Sequence, residues 1–456
     1  MKAMLAAADV WEGVGRLLVA SSGPASATFG RGVIDSRQAR SGDLFFALYG
    51  ERVDGHDFVP QALAAGAAGA VVERPIQATP DAALFQVSDS LQALQRLAAY
   101  QRGRHSVRTI AVTGSVGKTT CKELIASVLS HRYRVLKSEA NLNTEIGIPL
   151  TLLQLTPRHE RAVLELAMYA RGEIALLARI SQPQVGVVTN IGPVHLERLG
   201  YMGAIVAAKA ELLEALPVDG LAVLNGDDAR TAGLATRTRA RVVLYGRSPQ
   251  CDVRATDIAG HGLDGISFRL IRGESSVEVN CRLPGKHHVY PALAAAAVAL
   301  NEGMTLGEIA RALAEARPDL RLRVLPGPNG STIIDDSYNA SPEPMIAALD
   351  LLSELSGRRI ALLGEMRELG AAEQEGNERV GGHAAGRCDV LFVTGGSARP
   401  MAEAALRAGH GDVRFLDSKE QAAEELRGEL RTGDHLLIKG SRAVGLEEVV
   451  DALVAR

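Results

Sequence analysis

One segment constrains the fold more than any other: residues 113–120, with the sequence TGSVGKTT. It follows an apolar, strand-like run and leads into a run with helical spacing that begins at Lys118. In such a strand–turn–helix unit, glycines let the backbone amides point at a phosphate group, and the helix N-terminus adds the positive end of its dipole. We therefore predict a phosphate-binding turn formed by Gly114, Ser115, Val116, Gly117, Lys118, Thr119 and Thr120.

The turn departs from the pattern G-x-x-x-x-G-K-[ST], because Val112 stands where the first glycine would be and Gly114 comes two positions later. The loop is therefore shorter. Lys118 is expected to contact the β- and γ-phosphates of ATP, and the Thr119 hydroxyl to bind Mg²⁺. The competing interpretation is a glycine-rich turn with an exposed lysine, which the flanking strand and helix disfavour.

Alternating strands and helices predict an α/β protein with three domains, since 456 residues exceed what one hydrophobic core usually supports. Residues 1–105 predict a small α/β domain, and residues 106–317 predict a central domain with a mostly parallel sheet. Period-two alternation in residues 251–283 predicts an antiparallel patch inserted there. Residues 318–456 alternate strands with helices, which is typical of a Rossmann-like, doubly wound domain.

Composition disfavours several other classes of protein. The formal net charge of −3 gives no sign of a nucleic-acid partner. The four cysteines form no C-x-x-C pair, so neither a zinc site nor a disulfide framework is expected, and a reducing, cytoplasmic compartment fits. No apolar run reaches the length of about 18 residues that a membrane span needs, and the N-terminus lacks the features of a secretion signal.

Three residues are candidates for a metal site beside the turn. Glu165 lies in an apolar strand, where a carboxylate is costly to bury unless a cation meets it, although a solvent-facing carboxylate at the strand end is an equal alternative. His195 lies in a loop after the strand VGVVTNIG, and Lys209 lies on a helix among alanines. Taken singly, such a histidine and such a lysine are more typical of the solvated surface.

Together and in this order, the segments resemble the Mur ligase family over essentially the whole chain. The turn, the Glu165 strand, the loop NIGPVHLERLG and the helix AAKAEL follow one another as they do in that family. Residues 35–37, the run SGDLFFAL and residues 50–56 are similar to the UDP-binding N-terminal domain of the family member that adds D-alanyl-D-alanine. The segments IDDSYNASP, GEMRELG and KGSR are similar to parts of its C-terminal domain.

The resemblance implies a cytoplasmic, ATP-dependent ligase of peptidoglycan precursor synthesis. ATP would phosphorylate the C-terminal carboxylate of UDP-N-acetylmuramoyl-tripeptide, and the amino group of D-alanyl-D-alanine would attack the acyl phosphate. A tetrahedral intermediate would then collapse to the amide, ADP and phosphate. Because two anions must approach each other, the site has to supply cations placed beforehand. We expect a monomer, with no nucleic acid and no membrane span.

The resemblance also implies roles for single residues. The catalytic group would be Lys118 on the phosphates, Thr119 and Glu165 on one Mg²⁺, His195 on a second Mg²⁺, and Lys209, which would react with CO₂ to form a carbamate that ligates metal. The substrate-binding residues would be Ser36, Arg37, Asn141, Asn143 and Thr144. Segments that border the nucleotide contain Asn225, Asp227, Asp336 and Asn339, together with the linker residue Arg321.

Two stretches depart from the family pattern. His288 and Pro291 stand where the family has asparagines, one of which contacts adenine, and Leu320 replaces the glycine before Arg321. Adenine must therefore be held differently. The alternatives are the sister ligase that adds diaminopimelate or lysine, whose Asp-Asn-Pro-Arg signature is missing here, folylpolyglutamate synthase, and a nucleotide-regulated P-loop binding protein, although the Asn-Lys-x-Asp motif of GTPases is absent.

Overall fold

The computed structural model describes residues 5–77, 80–139, 141–194, 196–317 and 322–454. Within these residues the strands form three large sheets and one two-stranded sheet, so that the predicted α/β class is confirmed. The predicted domain boundaries, after residues 105 and 317, stay predictions. In the described residues no helix is both long and apolar enough to cross a membrane.

The N-terminal unit is built on a five-stranded sheet in the order β2-β7-β6-β5-β4. The segment around residues 32–46, which follows a strand–turn–strand pattern in the sequence, forms two parallel neighbours and not a hairpin. The elements of the unit are β1 (Leu5–Ala6), α1 (Ala7–Val14), β2 (Leu18–Ser22), β3 (Thr28–Phe29), β4 (Gly32–Val33), β5 (Leu44–Phe46), α2 (Val59–Ala64), β6 (Gly69–Val72), β7 (Ala83–Val87) and α3 (Ser90–Gly103).

The central unit contains a nine-stranded sheet whose order is β16-β15-β14-β13-β12-β11-β8-β10-β9. Its elements are β8 (Arg108–Thr113), α4 (Lys118–Ser130), β9 (Val135–Lys137), α5 (Gly147–Leu152), β10 (Arg161–Glu165), α6 (Glu173–Ser181), β11 (Val185–Val188), α7 (Leu196–Leu199), α8 (Met202–Glu214), β12 (Leu221–Asn225), α9 (Ala229–Gly233), β13 (Arg241–Gly246), β14 (Val253–Gly260), β15 (Ile266–Arg272), β16 (Ser275–Cys281), α10 (Val289–Asn301) and α11 (Leu306–Glu315).

The central strand β8 explains why the site lies where it does. Ile110 and Val112 pack on one face of the sheet with α4 and α10, whereas Ala111 packs on the other face with the core of α3, α6 and α8. Both faces are therefore covered, which suits a continuous apolar run in a parallel sheet. Strands β10, β8, β11, β12 and β13 run parallel, so their carboxyl ends share one edge and form a crevice there.

The antiparallel patch predicted in residues 251–283 exists, but it is not a separate insertion. Strand β14 pairs in parallel with β13, and β15 and β16 then pair antiparallel beyond it. The hairpins therefore extend the central sheet itself.

The C-terminal unit is a six-stranded sheet in the order β17-β18-β22-β19-β20-β21, parallel except for the edge strand β17. Helices cover both of its faces, as predicted. The elements are β17 (Arg323–Pro326), β18 (Thr332–Asp336), α12 (Pro342–Ser353), β19 (Arg359–Leu363), α13 (Glu373–Ala384), β20 (Val390–Thr394), α14 (Arg399–Arg407), β21 (Val413–Leu416), α15 (Lys419–Glu429), β22 (His435–Lys439) and α16 (Glu447–Val454).

Candidate active site

The turn between β8 and α4 uses its two glycines for different reasons. Gly114 has φ +145°, and a Cβ placed on it would lie 1.9 Å from Thr189 Oγ1. Gly117 has φ +79° and precedes the first residue of α4, but a Cβ there would meet no atom within 4 Å. Gly114 is therefore required by contact with the neighbouring strand end, whereas Gly117 is required by backbone conformation alone.

The carboxyl end of β11 holds the turn in shape. The Ser115 and Val116 amides donate to the backbone oxygen and to Oδ1 of Asn190, each at 2.9 Å. Thr189 Oγ1 and Asn190 Nδ2 in turn donate to the Val116 carbonyl, at 2.7 and 2.9 Å. Sequence analysis did not identify Thr189 or Asn190. Their position at the end of the strand next to β8 is the signal that could have found them.

Lys118 is the first residue of α4, and its side chain extends back over the turn. Its Nζ donates to the carbonyl oxygens of Gly114 and Ser115, at 2.9 and 3.0 Å. The ammonium group therefore lies at the turn itself, where it can attract a phosphate. Thr120 lies in the same first helical turn.

A buried carboxylate lies beside the first turn of α4. Glu165, at the end of β10, is only 2% exposed, and its two oxygens accept from Thr119 Oγ1 at 2.8 Å and from Asn143 Nδ2 at 2.9 Å. Its backbone amide donates to Ser138 Oγ at 3.1 Å. The structure thus brings the two predicted Mg²⁺ ligands together, and their hard oxygen atoms are of the type that Mg²⁺ prefers.

Side chains alone do not complete a metal site here. Across the parts of the chain that the structure describes, no group of three or more His, Cys, Asp and Glu side chains could hold a metal ion. Mg²⁺ commonly keeps waters and shares substrate phosphates with one or two carboxylates, so a pair such as Thr119 and Glu165 fits that mode of binding.

Lys209 lies on α8 and is 1% exposed, so the solvated interpretation does not apply to it. Its Nζ lies 3.4 Å from Thr113 Oγ1, at the end of β8. Burial, reinforced by the charge of Lys118, holds the pKa of the Lys209 amine well below its usual range, although Glu165 and Glu211 oppose the shift. A neutral amine is the form that can attack an electrophile such as CO₂.

The predicted substrate loop touches the C-terminal unit. Asn141 Oδ1 accepts from the Tyr338 hydroxyl at 2.8 Å. The Asn143 side-chain amide donates a hydrogen bond to Glu165, and Thr144 Oγ1 accepts one from the first backbone amide of α5 at 3.4 Å. His195 and Arg321 lie outside the residues that the structure describes, so their predicted roles stay predictions.

A cavity of about 340 Å³ lies at the carboxyl ends of β12 and β13, lined by Asp227, Arg247, Ser248 and Tyr290. The Asp227 carboxylate accepts from the Arg247 and Ser248 amides, from Ser248 Oγ and from the Tyr290 hydroxyl, and these contacts lower its pKa against the effect of burial. Asn225 donates to the Thr189 carbonyl at 3.0 Å, which joins this cavity to the phosphate turn.

The other segments predicted to border the nucleotide face the same cleft from two units. His288 is buried, and its Nδ1 lies 2.6 Å from the Pro284 carbonyl oxygen. In the C-terminal unit, Lys439 Nζ donates to Asp336 Oδ2 at 2.5 Å and to the Asn339 carbonyl at 3.0 Å. Asp336 contributes to the electrostatic environment of His288, so the two units approach each other here.

The two residues predicted to contact UDP differ in exposure. Ser36 is buried, and its hydroxyl donates to Gln61 Oε1 at 3.0 Å. The Arg37 side chain is 81% exposed and pairs with Asp35 at 2.8 Å, which lowers the pKa of that carboxyl against a small effect of burial. Of the two side chains, only that of Arg37 is therefore open to solvent in this structure.

Models of three domains match consecutive parts of the chain: "Mur ligase family, catalytic domain" over residues 33–102, "Mur ligase middle domain" over residues 112–299, and "Mur ligase, glutamate ligase domain" over residues 320–442. A UDP-N-acetylmuramoyl-tripeptide–D-alanyl-D-alanine ligase from Synechocystis is 42% identical over 427 residues, which covers 92% of this chain and 91% of the relative.

Solved structures show the same similarity. MurF from Acinetobacter baumannii superposes with a TM-score of 0.88 at 32% identity, with 99% of each chain covered. MurF ligase from Thermotoga maritima, solved in complex with ADP, superposes with a TM-score of 0.81 at 30% identity, with 92% of this chain and 96% of that chain covered.

Proposed function

The chain belongs to the Mur ligase family, and we propose that it is the ATP-dependent ligase that joins D-alanyl-D-alanine to the C-terminal carboxylate of UDP-N-acetylmuramoyl-tripeptide, a step of peptidoglycan precursor synthesis. The observation that carries the proposal is full-length similarity to D-alanyl-D-alanine ligases. The geometry around Lys118, Glu165 and Lys209 is consistent with this chemistry.

The reaction has a clear physical requirement. A carboxylate is a poor electrophile, so ATP converts it to an acyl phosphate, and the amine of the dipeptide then displaces phosphate as the amide forms. Lys118 stabilises the charge of the β- and γ-phosphates, and the preformed turn orients them without reorganising. Thr119 and Asn143 hydrogen-bond to the two oxygens of the Glu165 carboxylate and so fix its orientation.

Thr119, Glu165 and Lys209 are the residues that would hold Mg²⁺, Lys209 as its carbamate and His195 at a second ion. When bound, Mg²⁺ supplies positive charge that offsets the phosphates and the substrate carboxylate. Burial of the Lys209 amine, which lowers its pKa, supports the carbamate, because an ammonium group cannot attack CO₂ whereas a carbamate offers the anionic oxygens that Mg²⁺ prefers.

The remaining roles follow the same proposal. Ser36 and Arg37 would bind the UDP portion, and Asn141, Asn143 and Thr144 would border the tripeptide. Asn225, Asp227, Arg321, Asp336 and Asn339 would border the nucleotide. The protein would act as a cytoplasmic monomer whose three domains are residues 1–105, 106–317 and 318–456.

The diamino-acid-adding sister ligase is the nearest alternative, and it is not favoured. The Synechocystis relative is a D-alanyl-D-alanine ligase and is 42% identical, whereas a diaminopimelate ligase structure is only 19% identical with a TM-score of 0.53, which shows the fold alone. A P-loop switch that hydrolyses little ATP is also disfavoured by the relatives.

The test is phosphate release by the purified protein with ATP, UDP-tripeptide and D-alanyl-D-alanine. We expect release that depends on both substrates, and parallel assays with tripeptides ending in diaminopimelate, lysine or ornithine identify the accepted third residue. Phosphate release that is independent of both substrates would reject the proposal. Release that requires a free diamino acid and UDP-dipeptide would reject it as well.

A further inference from the structure

Three cationic side chains lie at the carboxyl edge of the C-terminal sheet, which faces the cleft. Strands β18, β22 and β19 are parallel neighbours, so the loops after them meet there. Lys439 ends β22, Arg442 follows it, and Arg367 follows β19, with the Arg367 amide donating to Ser441 Oγ at 2.9 Å. The three cationic groups thus lie on two adjacent loops.

Two of these cations are already neutralised within the protein. Lys439 is 2% exposed and pairs with Asp336 at 2.5 Å. Arg367 contacts Glu365, a carboxylate that is 6% exposed and also accepts the Ser397 amide at 3.0 Å. Neither group offers a free charge to a ligand without first breaking an ion pair.

Arg442 differs from both. Its side chain is exposed, its guanidinium lies 5.1 Å from the centre of the Tyr338 ring, and Nη1 donates to the Tyr338 hydroxyl at 3.3 Å. Among the residues that the structure describes, no carboxylate pairs with it. The guanidinium is therefore oriented by an aromatic neighbour while its charge is left uncompensated, which suits it to a carboxylate ligand.

A series of contacts across the cleft connects Arg442 to the proposed reaction centre. The Tyr338 hydroxyl that it contacts donates to Asn141 across the cleft, and Asn143, two residues further on, donates to Glu165. A dipeptide spans about 7 Å from its amine to its carboxylate when extended. Because the loop of Asn141 and Asn143 touches both Glu165 and Tyr338, we expect a dipeptide bound along this loop, with its amine near Glu165, to direct its carboxylate toward the C-terminal sheet edge.

We propose that Arg442 binds the carboxylate of the incoming dipeptide and so selects a nucleophile with a free C-terminus. The inference rests on the proposed function and deepens it. Tyr338 is a positioning residue in this arrangement, since it holds the guanidinium through its ring and hydroxyl. Arg442 makes and breaks no covalent bond; its role is to orient the amine by holding the other end of the substrate.

The test compares D-alanyl-D-alanine with its C-terminal amide as nucleophiles, in the wild-type protein and in Arg442→Gln. We expect the wild type to prefer the free acid in kcat/KM by about 10- to 100-fold, the range for a hydrogen bond to a charged group. In Arg442→Gln this preference should nearly disappear, through a raised KM for the acid, while the KM values for ATP and UDP-tripeptide stay unchanged. The acid and the amide also differ in the reactivity of their amino groups. This difference is the same in both proteins, so it cancels when the wild-type preference is divided by that of Arg442→Gln.

Arg387→Gln is the matched control, because Arg387 is a half-buried arginine of the same unit that pairs with Asp350 instead. It should keep the wild-type preference, and thermal unfolding checks that both variants are folded. A preference that survives in Arg442→Gln would overturn the inference, as would a loss confined to the KM of ATP or UDP-tripeptide. Wild-type protein with no D-alanyl-D-alanine-dependent turnover would instead overturn the proposed function.

Discussion

At the scale of single residues, Lys209 places an amine where water scarcely reaches and where the charge of Lys118 is felt. A folded protein tolerates such a buried amine when it is neutral, chemically modified or paired with a carboxylate. Among the described residues Lys209 forms no ion pair, and its amine contacts the uncharged Thr113 hydroxyl at 3.4 Å. The position thus fits a residue that is modified in use better than one that acts as a cation.

We expect Lys209→Ala to lower kcat by about 100-fold or more, because it removes a group that stabilises transition-state charge. Added acetate or another short carboxylate should restore part of the activity by supplying the missing oxygens. The measurement is kcat across carboxylate concentrations, with Lys419→Ala, a lysine that pairs with Glu448 within the C-terminal unit, as control. Full activity in Lys209→Ala without additive would reject the carbamate.

The pH dependence of the free energy of unfolding should also reveal the buried Lys209 amine. Because the pKa of Lys209 is lowered on folding, the unfolded chain binds one more proton over the range between the lowered and the usual values. The free energy of unfolding therefore rises with pH across that range and falls as pH drops through it. In CO₂-free buffer, Lys209→Met should be more stable at neutral pH and less pH-dependent, as measured by denaturant unfolding. An unchanged pH profile would mean that the amine keeps its proton when folded.

Sequence analysis found the residues whose chemistry stands out and missed those that act through geometry. Glu165 in an apolar strand and the lysine after a glycine turn are conspicuous in the chain, and the structure places Glu165 against Thr119. Asn190 and Tyr338 are ordinary polar residues in loops, and only the folded chain shows that they contact Val116 and Asn141.

At the scale of elements, the turn between β8 and α4 depends on one close approach. A Cβ on Gly114 would overlap Thr189 Oγ1 and also lie 3.1 Å from the Thr189 amide nitrogen, so backbone and side chain would both have to move. The turn and the end of β11 are therefore one structural element, although they are about 75 residues apart in the chain.

We expect Gly114→Ala to destabilise the protein by about 1–3 kcal/mol from backbone strain alone, and to abolish nucleotide binding through the displaced turn. Gly233→Ala is the control, because Gly233 has helical φ/ψ and open space around its Cα. It should be neutral or stabilising by up to about 1 kcal/mol. Unfolding free energy and ADP calorimetry measure both effects; normal ADP affinity in Gly114→Ala would show that the approach is not required.

Helices and strands with a strong apolar periodicity were predicted well, whereas the pairing of strands with partners distant in the sequence was not. The strands of the parallel sheets and helices such as α4 and α8 lie close to where apolar spacing predicts them. The parallel pairing of β4 with β5, and the joining of β14 to β13, depend on partners distant from the local pattern. The two-residue strands β1 and β3 are too short to carry any period.

At the scale of the whole molecule, the C-terminal unit meets the central unit at separate points around the cleft. Tyr338 contacts Asn141, Lys286 pairs with Glu354 at 2.9 Å, and residues 370–372 pack against α7. Leu263 of the central unit also packs on the apolar core of the C-terminal unit. Contacts in separate small patches, polar and apolar, are typical of units that move relative to each other.

Substrate binding should therefore draw the units together. We expect the radius of gyration from solution scattering to fall when ATP and UDP-tripeptide are added, since their binding groups lie on different units. Tyr338→Phe, which removes the hydroxyl but keeps the ring, should reduce this change. A scattering profile that is identical with and without saturating ligands would contradict domain closure.

The bracing of the phosphate turn by Thr189 and Asn190 has a kinetic consequence. Because these hydrogen bonds hold the phosphate turn in one conformation without a ligand, little conformational entropy is lost when a nucleotide binds. We therefore expect nucleotide exchange to be limited by movement of the C-terminal unit and not by ordering of this turn.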